Sequence, residues 1–139
     1  DYNSIYMAKR GIKISCNNDN NENFNINGIE NRVEQIVANL LDNAISFSKD
    51  NQNIEVNVTK NSNNQVVLNI IDEGPGFKER DTAKIFKRFY SNRPDKFGQH
   101  SGLGLNIVKN LVELHKASIT ASNRADKNGA NLELVFPKV

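Results

Sequence analysis

The chain has 139 residues, of which 37% are hydrophobic and 24% charged, and its net charge is +2. These values are typical of one soluble globular domain, and they offer no basic stripe for a nucleic-acid partner. One cysteine, Cys16, excludes an intrachain disulfide and a Cys-based zinc site, and we find no signal peptide and no apolar run of the roughly 20 residues that cross a membrane.

The first elements are a short strand and a long helix. Alternation around Ile12 and Ile14 predicts a strand within Ile5–Ser15, and the polar stretch from Asn17 to Asn25 predicts a loop or hairpin connection. From Ile29 onwards, apolar residues recur every three or four positions, which predicts a helix with one buried face. The apolar positions of this helix are Val33, Ile36, Val37, Leu40, Leu41, Ala44 and Ile45.

Two half-buried strands follow the helix. Apolar and polar residues alternate from Ile54 to Val58 and again from Val66 to Ile70, with the period of two that a strand requires. The turn-forming residues of Asn61 to Asn64 separate the two strands, so we expect an antiparallel hairpin. The second strand must end at the glycines and proline of DEGPGF, residues 72–77.

The second half of the chain adds helices and closing strands. We predict a helix over Glu79–Phe89, a polar flexible loop over Ser91–Ser101 and an amphipathic helix containing Ile107 to Leu114. Strands around Ile119 and from Leu132 to Phe136 close the chain. Together these elements predict an α+β two-layer sandwich, with about three helices on one face of a mixed, mostly antiparallel sheet of about five strands.

Polar residues on the long helix form the first candidate site. Asn39, Asp42, Asn43 and Ser46 lie three or four residues apart and therefore share one stripe of the helix. Amide oxygens are suitable ligands for a Mg²⁺ ion that phosphate oxygens also hold, and Asn43 is the best candidate ligand. The alternative is a solvated helix edge, which is the commoner role of two asparagines at this spacing.

Two glycine motifs form the other candidates. In DEGPGF the glycines let the backbone approach a flat ligand, and Asp72 can accept a hydrogen bond from an exocyclic amine such as that of adenine; an ordinary turn is the alternative. The segment SGLGL, residues 101–105, opens a helix whose N-terminus attracts phosphate. Its spacing matches neither the P-loop nor the dinucleotide fingerprint.

In combination, these motifs resemble the catalytic domains of sensor histidine kinases in two-component systems. VEQIVANLLDNAISFS is similar to the family's N-box, DEGPGF to its first glycine box, IFKRFY to its F-box and GQHSGLGLNIV to its second glycine box. The resemblance spans residues 30–115, and Asn128 to Ala130 resemble the turn of the closing strand pair. The resemblance implies that residues 1–139 form a single domain with the Bergerat-type ATP-binding fold. Residues 1–28 would contain N-terminal strands and a loop.

The resemblance also implies roles for individual residues. Asn43 would bind Mg²⁺, Asn39 would assist the metal or the phosphates, Asp72 would bind the adenine amino group and Phe47 would stack on the base. Arg88 would neutralise phosphate charge during transfer, with a surface salt bridge as the alternative. Gly74 and Gly76 would shape the adenine pocket. Under a lid at 91–101, the phosphates would be held by Ser101, Gly102, Leu103, Gly104 and Leu105.

Two positions depart from the family pattern. Ser46 stands where many members have a phosphate-binding Lys; Lys49, one helical turn later, is a candidate substitute or else a solvated side chain at the helix end. After the last helix the family usually has His-Gly-Gly, whereas this chain has His115, Lys116 and Ala117. We therefore predict that His115 packs at the helix end and does not act as a catalytic base, and that His100 faces solvent.

Asn39 distinguishes between the reactions that this fold supports. Gyrase, the Hsp90 chaperones and mismatch-repair ATPases carry a Glu at this position, which can activate water, whereas a neutral amide cannot accept the proton. The resemblance therefore implies a protein-histidine kinase, with an ATP hydrolase or a catalytically silent nucleotide-binding module as alternatives.

The family also implies partners that lie outside this sequence. Its acceptor would be a histidine on a separate dimerisation domain, and a response regulator receiver domain would follow. We expect a monomeric fragment that binds Mg²⁺-ATP without phosphorylating itself. It would be the cytoplasmic domain of a homodimeric, membrane-anchored kinase.

Overall fold

The computed structural model describes residues 11–18, 25–48, 50–77 and 103–138. Five strands form one sheet: β1 (Lys13–Asn18), β2 (Asn53–Lys60), β3 (Val66–Ile71), β4 (Ser118–Asn123) and β5 (Ala130–Phe136). Two helices, α1 (Glu30–Phe47) and α2 (Leu103–Leu114), complete the described part of the chain. Neither of these two helices is long and apolar enough to span a membrane.

The sheet is mixed and has the strand order β1-β2-β3-β5-β4. β1 pairs in parallel with β2, and the connection between them contains α1, because parallel neighbours need a crossover. The other three pairs are antiparallel. β2 and β3 form the predicted hairpin, closed by bonds between Asn61 and Gln65. The expected mixed, mostly antiparallel sheet is confirmed.

Both helices pack on the same face of the sheet. The alternation predicted for the strands sends every second residue into this layer, and the helices contribute their apolar stripes. Ile70 of β3, for example, lies between Val56 of β2 and Leu132 of β5 in the pairing register. Side chains with no more than 2% exposure include Ile36, Leu40, Ile54, Ile70, Val108, Val112 and Leu134.

Helix α1 follows the predicted periodicity and ends at a defined cap. Ile36, Leu40 and Ala44 are buried one turn apart, which is why this stretch is a helix packed on a sheet. The buried Ser48 ends the helix: its backbone N–H donates to the carbonyl oxygen of Ala44 at 3.1 Å and its Oγ donates to the same oxygen at 2.8 Å. The Ala44 carbonyl oxygen in the last turn is thus satisfied without solvent.

His115 joins the end of α2 to the start of α1. Its Nδ1 lies 2.8 Å from the carbonyl oxygen of Leu111, and its Nε2 accepts the N–H of Ile29 at 3.0 Å. These partners assign the proton to Nδ1, because a carbonyl can only accept and an N–H can only donate. The side chain is buried. The prediction that His115 packs at the helix end is confirmed.

The N-terminal strand continues further along the chain than the sequence predicts. Within the described residues the strand begins at Lys13 and continues to Asn18, so Asn17 and Asn18 belong to β1 and not to a loop. Parallel pairing with β2 places Asn17 opposite Asn57, and the Asn17 Nδ2 donates to the Asn57 Oδ1 at 3.0 Å. This side-chain bond lets a polar edge strand form where composition predicted a loop.

Several predicted features lie outside the described residues. These are the first part of the N-terminal strand, the helix over Glu79–Phe89, His100 and the lid at 91–101. The expected third helix is among them, so two helices are the number found in the ranges given above.

Candidate functional site

Asp72 is a buried carboxyl group at the end of a central strand. It directly follows β3 and has 3% exposure. Its backbone N–H extends the pairing with β5 by donating to the Ala130 carbonyl oxygen at 3.0 Å. Its Oδ1 accepts the N–H groups of Gly74 at 2.9 Å and Ala130 at 3.1 Å. Two bonds from rigid backbone therefore fix the orientation of this carboxyl group.

The glycine loop after Asp72 adopts a conformation that requires glycine. Gly76 has φ of +77°, and a Cβ there would lie 2.6 Å from the Asn123 Oδ1. Gly74 and Gly76 are both buried, and Phe77 ends the loop with its ring in the core. The loop is therefore anchored at one end by Asp72 and at the other by Phe77.

Asn39 and Asn43 lie one turn apart on α1. Asn39 is half-buried, whereas Asn43 has 5% exposure. The Nδ2 of Asn43 is buried and has no hydrogen-bond partner among the described residues. A buried amide atom without a partner costs about 1–3 kcal/mol, which is a reason to look for a ligand. The solvated helix edge considered from the sequence is therefore wrong for Asn43.

The helix that carries the two asparagines is adjacent to the strand that ends at Asp72. α1 contacts both β3 and α2, and all three contribute to one core. In α2, Leu105 is half-buried and packs against this core. The structure thus brings together the elements that bear Asn43, Asp72 and the start of the SGLGL helix.

The remaining predicted site residues are described in part or not at all. For Phe47, Leu103 and Gly104 the structure gives the helical backbone and not the side-chain environment. Four others, Lys49, Arg88, Ser101 and Gly102, lie outside the described residues.

Asn123, the last residue of β4, and Arg124, the first residue of the β4–β5 connection, contact the DEGPGF loop and were missed from sequence. The Asn123 Oδ1 accepts the Phe77 N–H at 2.7 Å, and its Nδ2 donates to the Phe77 carbonyl oxygen at 3.0 Å. Arg124 donates to the carbonyl oxygen of Asp72 at 3.3 Å. These partners are 46 and 52 positions apart in the sequence, so no local pattern could have identified them.

Glu73 joins three elements beside the buried Asp72. Its Oε1 accepts the Asn53 N–H at the start of β2, and its Oε2 lies 2.6 Å from the Lys127 Nζ in the β4–β5 connection. The hydrogen bond from Lys127, with that from the Asn53 N–H, lowers the pKa of the Glu73 carboxyl from its ordinary value. Glu73 is therefore held as an anion within the glycine loop.

The residues present fit a magnesium ion that phosphate oxygens hold in part. In the described ranges, no group of three His, Cys, Asp or Glu side chains is placed to bind a metal. A buried asparagine is instead available at position 43, and its oxygen and nitrogen are distinguished only by their partners. Mg²⁺ takes oxygen ligands and keeps several waters, so one amide oxygen together with phosphate and water oxygens suits it.

Comparison with known proteins shows the family. The sequence profile of the "Histidine kinase-, DNA gyrase B-, and HSP90-like ATPase" family matches residues 28–139. The chain is 42% identical over 140 aligned residues to the sensor protein ChvG of Agrobacterium fabrum, covering 95% of this chain and 22% of that protein. It is 41% identical to ChvG of Rhizobium meliloti over 76% of this chain and 19% of that protein. The chain therefore spans about a fifth of these relatives.

Solved structures show the same fold. The catalytic domain of histidine kinase ThkA superposes with a TM-score of 0.81 at 27% identity, covering 97% of this chain and 84% of that one. ThkA in complex with the response regulator protein TrrA superposes with a TM-score of 0.78 at 25% identity, over 98% of this chain and 37% of that chain. By its sequence profile the chain belongs to the histidine kinase-, DNA gyrase B- and HSP90-like ATPase family, and it is similar in sequence and fold to the sensor histidine kinases and catalytic domains named above.

Proposed function

We propose that this domain binds Mg²⁺-ATP and presents the γ-phosphate to a histidine on a separate dimerisation domain. The observation that carries the proposal is the buried Asp72 carboxyl, oriented by two backbone N–H groups at the mouth of a glycine loop. A carboxylate held in this way is suited to accept a hydrogen bond from the adenine amino group, and Gly74 and Gly76 would shape the adenine pocket.

Asn43 would hold the magnesium ion, with Asn39 assisting one turn earlier. Two features of the buried Asn43 carboxamide support this role: its oxygen is a ligand of the kind that Mg²⁺ takes, and its unpaired Nδ2 can donate a hydrogen bond to a phosphate oxygen. A magnesium ion held by Asn43 would supply positive charge to the phosphates. We also propose that Phe47 stacks on the base and that Ser101, Gly102, Leu103, Gly104 and Leu105 bind the phosphates. Lys49 and Arg88 would supply positive charge.

The absence of an acid at position 39 favours phosphotransfer over hydrolysis. Asn39 is a half-buried amide next to the metal candidate, and an amide cannot take a proton from water. A histidine nucleophile needs no such base in this domain, since its own ring can lose a proton. Asn39 therefore suits a site that holds ATP for an external acceptor.

The relatives suggest the setting of this reaction. ChvG is named a sensor protein, and ThkA has been solved with a response regulator. We accordingly propose a receiver domain as the downstream partner, and a cytoplasmic position within a membrane-anchored homodimeric kinase.

The test is phosphotransfer in trans. The domain would be mixed with Mg²⁺, labelled ATP and the phosphoacceptor domain of the same kinase, and we expect acid-labile label on the acceptor and none on the domain alone. ATP binding without transfer would instead indicate a silent binding module. Steady phosphate release without an acceptor would indicate a hydrolase.

A variant of Asp72 and a matched control test whether ATP binds at the candidate site. Asp72→Asn keeps an oxygen for the two backbone N–H groups but removes the charge, and we expect ATP affinity to fall by at least about tenfold. Glu34→Gln makes the same carboxyl-to-amide change at an exposed position of α1; it is the control and should bind normally. Equal affinities for Asp72→Asn and the parent would contradict the adenine assignment.

A further inference from the structure

Asn123 makes a two-point contact with the backbone at the end of the glycine loop. It is the last residue of β4, and its carboxamide both accepts from the Phe77 N–H and donates to the Phe77 carbonyl oxygen, at 2.7 and 3.0 Å. This pairing reproduces what a neighbouring strand would offer. A side chain needs a donor and an acceptor on one rigid group to make it, and an asparagine has both.

Gly76 shows how closely this carboxamide approaches the loop. A Cβ at position 76 would lie 2.6 Å from the Asn123 Oδ1 and 3.2 Å from the Gly129 carbonyl oxygen. The Asn123 side chain therefore occupies the space beside Gly76 and fixes how far the loop can move towards β4.

The β4–β5 connection, which follows Asn123, contacts the other end of the loop at Asp72. A Cβ on Gly129, whose φ is +148°, would clash with the Asp72 carbonyl oxygen. Arg124 donates to that oxygen, and Asp126 orients its guanidinium with bonds of 2.8 and 3.0 Å. Ala130 donates to the Asp72 Oδ1. The β4–β5 connection thus sets the position of Asp72 and of Phe77 together.

We propose that Asn123 is a positioning residue that sets the preference of the site for adenine over guanine. The inference rests on the proposed function, in which Asp72 receives the adenine amino group. At the corresponding position guanine carries a carbonyl oxygen, which a carboxylate repels, but its ring N–H and 2-amino group can donate to a carboxylate that has shifted. Discrimination therefore depends on how firmly the loop holds Asp72, and Asn123 holds the backbone at the Phe77 end of that loop.

The test compares nucleotide selectivity in the whole domain. Dissociation constants for Mg²⁺-ATP and Mg²⁺-GTP would be measured by calorimetry for the parent, for Asn123→Ala and for the adjacent, exposed Ser122→Ala as control. We expect Asn123→Ala to reduce the ATP-over-GTP preference by about tenfold, since hydrogen-bond geometry is what separates the two bases. Ser122→Ala should keep the preference of the parent.

A second variant separates positioning from folding. Asn123→Asp keeps an acceptor for the Phe77 N–H and loses the donor to the Phe77 carbonyl oxygen, so we expect an intermediate preference. A variant that is only destabilised would lose affinity for ATP and for GTP by the same factor. Equal losses of affinity for the two nucleotides, or an unchanged ATP-over-GTP ratio in both variants, would overturn the proposal. If the parent itself fails to bind ATP, the proposed function fails, and this inference fails with it.

Discussion

At the scale of single residues, Lys116 adopts a backbone conformation that is unfavourable for any residue with a Cβ atom. Its φ is +55°, in the left-handed region. It lies in a turn that ends α2, where the Lys116 N–H donates to the Glu113 carbonyl oxygen and the Ala117 N–H donates to the Val112 carbonyl oxygen, both at 3.0 Å. This is the Schellman pattern, whose left-handed position is usually glycine. The turn forms here with a lysine, at a cost in stability.

We expect Lys116→Gly to stabilise the domain by about 1 kcal/mol, since glycine removes the clash of Cβ in the left-handed region. The free energy of unfolding in urea measures the change. Lys116→Ala is the matched control, because it removes the exposed side chain but keeps Cβ, and it should bring no gain. A gain of equal size in both variants would show that the side chain, and not the backbone, was responsible.

At the scale of elements, the sequence predicts what is local and misses what is distant. Helix α1 and the β2–β3 hairpin follow from residues within a few positions of one another, and both were predicted. The end of β1 was missed, because Asn17 is held in a strand by Asn57, 40 positions away. Asp72 could be found from its motif, whereas its partner Ala130 lies 58 positions away. Local sequence patterns cannot predict a contact between residues that lie this far apart in the chain.

Glu73 offers a test of how the elements around the loop are joined. Because partners in β2 and in the β4–β5 connection lower its pKa, its contribution to stability is complete above the pKa of the unfolded chain. That contribution is lost as the pH falls through the lower pKa of the folded state. We therefore expect Glu73→Gln to destabilise the domain by about 1 kcal/mol at pH 7, as for a half-exposed charged pair.

The pH dependence distinguishes charge from shape. Unfolding in urea at pH 7 and at pH 3 would be compared for the parent and for Glu73→Gln, and the difference between the two proteins should shrink at the lower pH. Glu133→Gln, a half-buried glutamate on β5, is the control. A difference that is unchanged at pH 3 would contradict the role of the charge.

At the scale of the whole molecule, the candidate site places a polar side chain, Asn43, in a core that is otherwise apolar. The layer between sheet and helices is built almost entirely from apolar side chains, and Asn43 is an exception with an unpaired amide nitrogen. Groups that cost stability in this way persist where function requires them. The fold of α1 does not depend on Asn43, since Ile36, Leu40 and Ala44 already bury its apolar stripe.

We therefore expect Asn43→Ala to separate stability from magnesium binding. Its free energy of unfolding without nucleotide should stay within about 1 kcal/mol of the parent, because truncation also removes an unpaired buried group. Saturating Mg²⁺-ATP should stabilise the parent by about 2.7 kcal/mol at a hundredfold excess over Kd. For Asn43→Ala with ATP, the thermal unfolding temperature should be the same in magnesium as in EDTA.

Asn69→Ala is the matched control. Asn69 also has a buried amide atom without a partner among the described residues, but it lies on β3 and faces away from the helices. A full magnesium response in Asn43→Ala would show that the metal is held elsewhere, and the unpaired amide would then be a cost of folding without a function.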